Sequence, residues 1–207
     1  MKPIRVVLAD DHTLVRRGLS ALLTADGSIC VVGEAEDGRD LAKKVKALQP
    51  DVALVDISMP LLNGLDAMLK IKRVSPQTRV IILSMFSDNA YVAAAWEHGA
   101  SGYVLKDDAP EQLIGAIHTV VSGGKYFLVE PHPVVTRNLL TPREREVLQL
   151  ITEGKKNSEI ANVMMRSLHT VRSHRARLMT KLGAHSAAEL VQAAEKLGVV
   201  KFPPPEG

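Results

Sequence analysis

The sequence predicts an α/β chain, a doubly wound, five-stranded parallel sheet followed by a small all-α domain. Three observations lead there. The first 125 residues repeat one pattern, a short β-branched run followed by about a dozen residues of helical periodicity. The runs are nearly continuous in apolar character, as parallel strands covered on both faces require. After residue 140 the strand pattern stops, and four helical segments with capping signals take over.

In order, "IRVVLAD" (4–10), "ICVVGEA" (29–35), "VALVD" (52–56), "VIILS" (80–84) and "GYVLK" (102–106) read as strands. Helices are expected near 12–25, 37–48, 64–74, 88–98 and 110–122. Gly123, Gly124, Pro131 and Pro133 then break helical continuation, so 124–139 reads as a linker between a domain at 1–123 and another at 140–207. "LTPREREVLQLITEG" opens with Thr141 as N-cap, Pro142 in the first helical position and Glu144 closing a capping box, and Gly154 stops it. "NSEIANVMM", starting at Asn157 or Ser158, is a second short helix. "SLHTVRSHRARLMTKLG" is a third, ended by Gly183, and "SAAELVQAAEKLG" a fourth. A tight break before the third helix is helix-turn-helix geometry.

The 207 residues are 46% hydrophobic and 24% charged, a soluble globular composition with room for one or two cores. Residues 1–125 carry 14 Lys+Arg against 15 Asp+Glu, whereas 126–207 carry 12 against 8. The basic excess is C-terminal, which suits a polyanionic partner there. A single cysteine, Cys30, in an apolar run, excludes a disulfide framework; it is expected to pack in the core of a cytoplasmic protein. No apolar run is long enough to span a bilayer, and "MKPIRVVLADDH" lacks the features of a signal peptide, so neither a membrane nor secretion is expected.

Ligands of doubly wound sheets bind beyond the carboxyl ends of the strands. There the sequence puts Asp10 and Asp11 after the first strand, Asp56 on the third, Ser84 on the fourth and Lys106 on the fifth. Three carboxylates brought together repel one another unless a cation neutralises them. An all-oxygen set suits Mg²⁺. Lys106 and Ser84 would add a fixed positive charge and a hydroxyl donor for a transferring phosphoryl group. Asp56 is then expected to stand exposed at its strand end as a nucleophile.

"LADDH", "DISMPLLNG", "ILSM" and "GYVLKDDAPEQL" resemble the receiver domain of bacterial two-component response regulators, with a flavodoxin-like fold, across residues 3–123. The resemblance implies that a sensor histidine kinase phosphorylates Asp56. It also implies that Asp11, Asp56 and the backbone carbonyl of Ser58 ligate Mg²⁺, with Asp10 acting mainly through water. Ser84 and Lys106 would bind phosphoryl oxygens. Tyr103 would be the aromatic that turns inward when Ser84 is drawn to the phosphate, and Pro60 and Gly64 would shape the loop.

On the third helix of the second part, at 100° per residue, Val171, Leu178 and Leu182 share one face, which must be the core side. His169, Arg172, Ser173, Ala176 and Thr180 lie opposite, with His174, Arg175, Arg177 and Lys181 on the flanks. Such a helix can enter the major groove of double-stranded DNA while flanking cations hold phosphates. "LTPREREVLQLITEGKKNSEIA", "TVRSHRARLMTKLG" and "AAEL" are similar to the LuxR-type DNA-binding domain, so the whole chain resembles a response regulator of the NarL/FixJ subfamily. That implies base-edge positions at Arg172, Ser173 and Ala176 and phosphate contacts at Lys156, His174 and Arg175. It also implies a homodimer formed on phosphorylation, with RNA polymerase as a further candidate partner. Leu190, Ala193, Ala194 and Leu197 of the last helix fit either dimer pairing or plain core packing. Arg166 and Arg177 depart from the family pattern, and Ala176 cannot hydrogen-bond a base.

A rival of another class is an aspartyl-nucleophile phosphatase of the haloacid dehalogenase type, which shares the strand-end Asp, Ser, Lys and Mg²⁺. It requires a second aspartate two residues after the nucleophile, where this chain has Ser58, and it does not explain the helix-turn-helix. A regulator rather than an enzyme is the expectation.

Overall fold

The computed structural model describes residues 2–85, 89–108, 110–128 and 140–196. They fall into two compact units, one within Met1–Val135 and one within Thr136–Gly207.

The first unit alternates strand and helix through β1 (Ile4–Ala9), α1 (Thr13–Ala25), β2 (Ile29–Ala35), α2 (Gly38–Leu48), β3 (Val52–Asp56), α3 (Gly64–Val74), β4 (Arg79–Ser84), α4 (Asn89–Glu97), β5 (Gly102–Leu105), α5 (Pro110–Val121) and β6 (Tyr126–Phe127). All pairings are parallel, in the order β2-β1-β3-β4-β5-β6. The five expected strands are present, and β6 is a sixth. Its two residues pair with Gly102 and Tyr103 of β5 and extend the sheet at its edge. Part of the stretch expected to be linker is therefore sheet, while 129–139 lies outside the described residues.

Strand residues alternate between two cores because successive side chains point to opposite faces. Val6, Leu8, Val52, Leu54, Ile81 and Leu83 pack with Leu23 of α1 and Leu113, Ile117 and Val120 of α5. Val7, Ala9, Ala53, Val55, Val80 and Ile82 pack with Leu41 and Val45 of α2, Met68 and Ile71 of α3 and Val92 of α4. Helices on both faces bury β3 completely and β1 and β4 beyond their first residues, which is why those strands read as nearly unbroken apolar runs. Cys30 departs from expectation: it is exposed, on the terminal strand of the sheet among the described residues.

The second unit holds α6 (Pro142–Thr152), α7 (Asn157–Met164), α8 (Leu168–Leu182) and α9 (Ala187–Lys196). The expected capping box is present: the Thr141 side chain accepts from the Glu144 N–H, and the Glu144 carboxylate accepts from the Thr141 N–H at 2.8 Å. Asn157 opens α7, with Lys156 as its N-cap residue and the Lys156 N–H bonded to Glu159 at 2.6 Å. Met165, in the left-handed region at φ 52°, ends α7, and the Ser167 side chain caps α8 by accepting from the Thr170 N–H. Val147, Leu148, Leu150, Ile160, Val171, Leu178, Leu190 and Ala194 are buried. Leu190 and Ala194 thus serve the core, and Leu197 lies outside the described residues.

Candidate functional site

The strand order reverses between β1 and β3, the place where a doubly wound sheet opens a crevice at its carboxyl edge. Registers Ala9↔Val55, Asp56↔Leu83 and Ser84↔Leu105 bring four strand ends level there. The Lys106 N–H then donates to the Ser84 carbonyl at 2.8 Å, turning the lysine back over the sheet edge. Its ammonium lies 2.7 Å from Asp10 Oδ2 and 2.9 Å from Asp56 Oδ2. Residues separated by up to 96 positions in sequence (Asp10 to Lys106) thus form one charged centre.

Asp56 corrects the expectation of an exposed nucleophile, for only 3% of it is accessible. The Ile57–Gly64 loop folds back beside it, with the Gly64 N–H donating to the Ile57 carbonyl at 2.9 Å. Gly64 is required by that approach, since a Cβ there would stand 2.1 Å from the Asp56 carbonyl oxygen. Leu61 takes the left-handed conformation at φ 62° in the same turn. Asn63 caps α3 by accepting from the Asp66 N–H.

Burial pushes the Asp56 carboxyl above its ordinary range; the Lys106 ammonium opposes this, Asp10 adds to it, and the Ser58 N–H opposes it again without cancelling it. For Lys106, burial disfavours the charge, but the hydrogen bond to Asp10 and the field of Asp56 more than offset this and hold it above the usual lysine value. Apart from that ammonium, Asp10 Oδ2 and Asp56 Oδ2 have no partner among the described residues, although both are buried. Single ligand atoms of Asp10, Asp11, His12 and Asp56 all lie within 4.8 Å of one another, so the cluster could hold a cation. Ser84 is buried at the same edge, and Tyr103 on β5, 4% exposed, is packed inward among the core residues around α4. Asp11 keeps a third of its side chain in solvent, and Ser58 is exposed.

Two neighbours of the acidic pair were missed in the sequence. His12 Nδ1 lies 2.9 Å from Asp11 Oδ1 and 3.4 Å from Asp10 Oδ1. Arg16 is buried in α1 and donates to the Asp10 carbonyl oxygen at 2.7 Å. "LADDH" could have pointed to His12; nothing local marks Arg16, whose carboxylate partners, Glu34 and Glu36, lie on and just beyond β2.

In the second unit, Val171 and Leu178 of α8 are buried and Leu182 is half-buried, the expected core side. His169, Arg172, Ala176, Arg177 and Thr180 are exposed, with Ser173 and His174 half-buried. Lys156 is exposed at the start of α7. Two expected phosphate ligands have partners within the fold. Arg175 Nη1 donates to Asn157 Oδ1 at 3.1 Å, joining α8 to α7, and Lys181 Nζ is 2.7 Å from Glu144 Oε2. Their positions on the flank of α8 bring them against neighbouring helices before any phosphate.

Two family models match the chain, the response regulator receiver domain over residues 6–118 and the bacterial regulatory proteins of the luxR family over 138–194. The transcriptional regulatory protein MctR of Rhizobium johnstonii is 38% identical over 95% of this chain and 95% of its own. The oxygen regulatory protein NreC of Staphylococcus aureus is 39% identical over 96% of this chain and all of its own. The solved structure of the RcsB response regulator of Salmonella typhimurium, studied for DNA interaction, aligns with a TM-score of 0.66 at 32% identity over 95% of this chain and 99% of RcsB. RcsB has also been solved as two dimers bound to two parallel DNAs, with a TM-score of 0.58 at 33% identity over 94% and 98% of the two chains. A crevice of acids with a bridging lysine, a capped helix-turn-helix and matches along nearly the whole length lead to one conclusion: the chain belongs to the two-component response regulators of the NarL/FixJ type, with a receiver followed by a LuxR-type DNA-binding domain.

Proposed function

We propose that Asp56 is the phosphoacceptor and that its phosphorylation by a histidine kinase controls DNA binding by α8. The observation that carries this is the buried Asp56 carboxylate 2.9 Å from the Lys106 ammonium, at the crevice of the sheet. An Asp56 oxygen attacks phosphorus, the bond from phosphorus to the kinase's histidine nitrogen breaks, and that nitrogen keeps the electron pair. Lys106 stays beside the carboxylate and pairs with the added phosphoryl charge; the Ser84 hydroxyl donates to a phosphoryl oxygen. Tyr103, on the strand beside Ser84, fills the space the hydroxyl leaves.

The donor set fits Mg²⁺: hard carboxylate oxygens, two of them buried with a lysine as their one partner among the described residues. Asp11, Asp56 and the Ser58 carbonyl would hold the ion directly and Asp10 through water. When bound, the ion neutralises charge that builds on the transferring group.

At the other end of the chain, Arg172, Ser173 and Ala176 face base edges in the major groove of double-stranded DNA, flanked by His169 and Arg177, while Lys156 and His174 meet phosphates. Arg175 and Lys181 reach phosphates only in addition to their contacts with Asn157 and Glu144. RcsB, a relative, binds DNA as dimers, which supports a phosphorylation-dependent homodimer here. RNA polymerase is a further partner at a promoter. A single exposed cysteine suits the reducing cytoplasm, and among the described residues no helix is long and apolar enough to cross a membrane.

Acetyl phosphate with Mg²⁺ should add one phosphoryl group to the chain, seen by intact mass, and Asp56→Asn should abolish the addition, because the amide is no nucleophile. A phosphoryl group retained by that variant would assign the acceptor elsewhere.

A further inference from the structure

The geometry points to Arg16 as a positioning residue for the acidic pair, a role that rests on the reading of Asp10, Asp11 and Asp56 as a metal-binding phosphoacceptor site. Arg16 is 6% exposed although it belongs to an otherwise solvent-facing stretch of α1. Burying a guanidinium is costly unless its donors are satisfied. Here they fan out in three directions: Nη1 to the Asp10 carbonyl oxygen at 2.7 Å, Nη2 to Glu36 Oε1 at 2.8 Å and Nε to Glu34 Oε2 at 3.3 Å. Glu34 lies on β2 and Glu36 just beyond it, so the planar fork ties the backbone of the β1–α1 loop to the end of the neighbouring strand. The Asp10 N–H is bonded to the Ala35 carbonyl at 3.1 Å, which holds the preceding peptide, so that Asp10 is fixed on both sides. The Asp10 carboxylate is fixed in turn by the His12 N–H at 2.8 Å and by Lys106. Arg16 touches neither the phosphoryl site nor a metal-ligating oxygen. It fixes the peptide from which Asp10 and Asp11 project, and so sets where their carboxylates converge on Asp56. Outer contacts of this kind commonly change metal affinity by about tenfold or more.

Charge and position make opposite predictions. Lysine keeps the charge but loses the fork, and methionine loses both. Mn²⁺ serves as the probe: its free-ion EPR signal is followed on titration with full-length protein, with Mg²⁺ as competitor, in high salt to screen exposed charges. If Arg16 positions the pair, Arg16→Lys weakens Mn²⁺ about tenfold and Arg16→Met at least as much, and phosphorylation at saturating Mn²⁺ recovers in Arg16→Lys. If only its charge is felt, Arg16→Lys binds like the wild type and Arg16→Met binds more tightly, since a cation near the ion has gone; that result overturns the proposal. Glu36→Gln covers the case in which both variants fail to fold, because Glu36 is largely exposed and its loss threatens no core. It should weaken Mn²⁺ about twofold to threefold by loosening the fork, and unchanged affinity would count against Arg16. No Mn²⁺ binding by the wild type would instead bring down the reading of the acidic site itself.

Discussion

Lys106 and Arg172 are both cations proposed to meet anions, yet their surroundings have little in common. Lys106 is almost enclosed, with two buried carboxylates within 2.9 Å, and its charge is neutralised within the fold. Arg172 stands exposed on α8. The receiver's charges therefore hold one another in place in a low-dielectric crevice, where removing one strands the others. Those of α8 are solvated, so their loss should cost the fold little and tell only when DNA arrives. Within α8 the contrast recurs on a smaller scale, because Arg175 and Lys181 are bonded into the domain and Arg172 is not among the paired cations.

The strongest way to break this comparison is Lys106→Met. It leaves Asp10 and Asp56 buried with no counter-ion, and urea denaturation at neutral pH should show a loss of about 3–5 kcal/mol. Acid should narrow the gap. Asp56 already has a raised folded value, so its protonated form favours the fold fully below the ordinary 3.8, and that contribution is lost as pH rises through the raised value. Removing Lys106 raises it further, so the variant should regain stability as pH falls from neutral toward that value. A deficit that stayed constant between neutral and mildly acid pH would mean that the carboxylates do not depend on Lys106.

Arg172→Ala should leave the melting temperature nearly unchanged and cost about 1–3 kcal/mol on the operator, with little change on random DNA. Lys156→Ala should weaken operator and random DNA alike and flatten log K against log salt by about one unit. Fluorescence anisotropy of the phosphorylated protein at several salt concentrations measures both. Equal losses on both DNAs for Arg172→Ala would rotate the groove-facing set of α8.

Lys181→Ala should give the smallest effect, because Lys181 keeps two fifths of its side chain in solvent and such pairs contribute at most about 1 kcal/mol. Burial works to raise the Glu144 carboxyl, but Lys181 and the Thr141 N–H and hydroxyl hold it below its ordinary value. The stability from that pairing is present above the ordinary 4.5 and is lost as pH falls through the depressed value. The deficit of Lys181→Ala, followed by thermal melts, should therefore shrink in acid; a loss confined to DNA affinity would make Lys181 a phosphate ligand first.

How far the sequence could be read follows the range of the forces involved. Five strands and the capping box of α6 were legible, because apolar runs and Thr141-Glu144 spacing are local signals. The convergence of Asp10, Asp56 and Lys106 was legible once parallel strands were assumed, since strand ends must align. Tyr126–Phe127 was not, because two residues carry no periodicity and become a strand only where β5 offers an edge. The burial of Asp56, the fork of Arg16 and the pairing of Arg175 with Asn157 were hidden for a common reason: each depends on what a distant segment places beside it. Cys30 is the converse case, a residue of an apolar run that no distant segment among the described residues covers.

Gly64 gives the loop beside Asp56 a particular standing under mutation. Every single-base change to a glycine codon that alters the amino acid brings in a residue with a Cβ, and at this position that atom would stand 2.1 Å from the Asp56 carbonyl oxygen. No smaller step is available, so this corner of the crevice cannot drift gradually. A lineage that lost the glycine would have to rebuild the path of the chain from Ile57 onward in the same event, and the spacing between Asp56 and the start of α3 should therefore stay fixed while the surface around it changes freely.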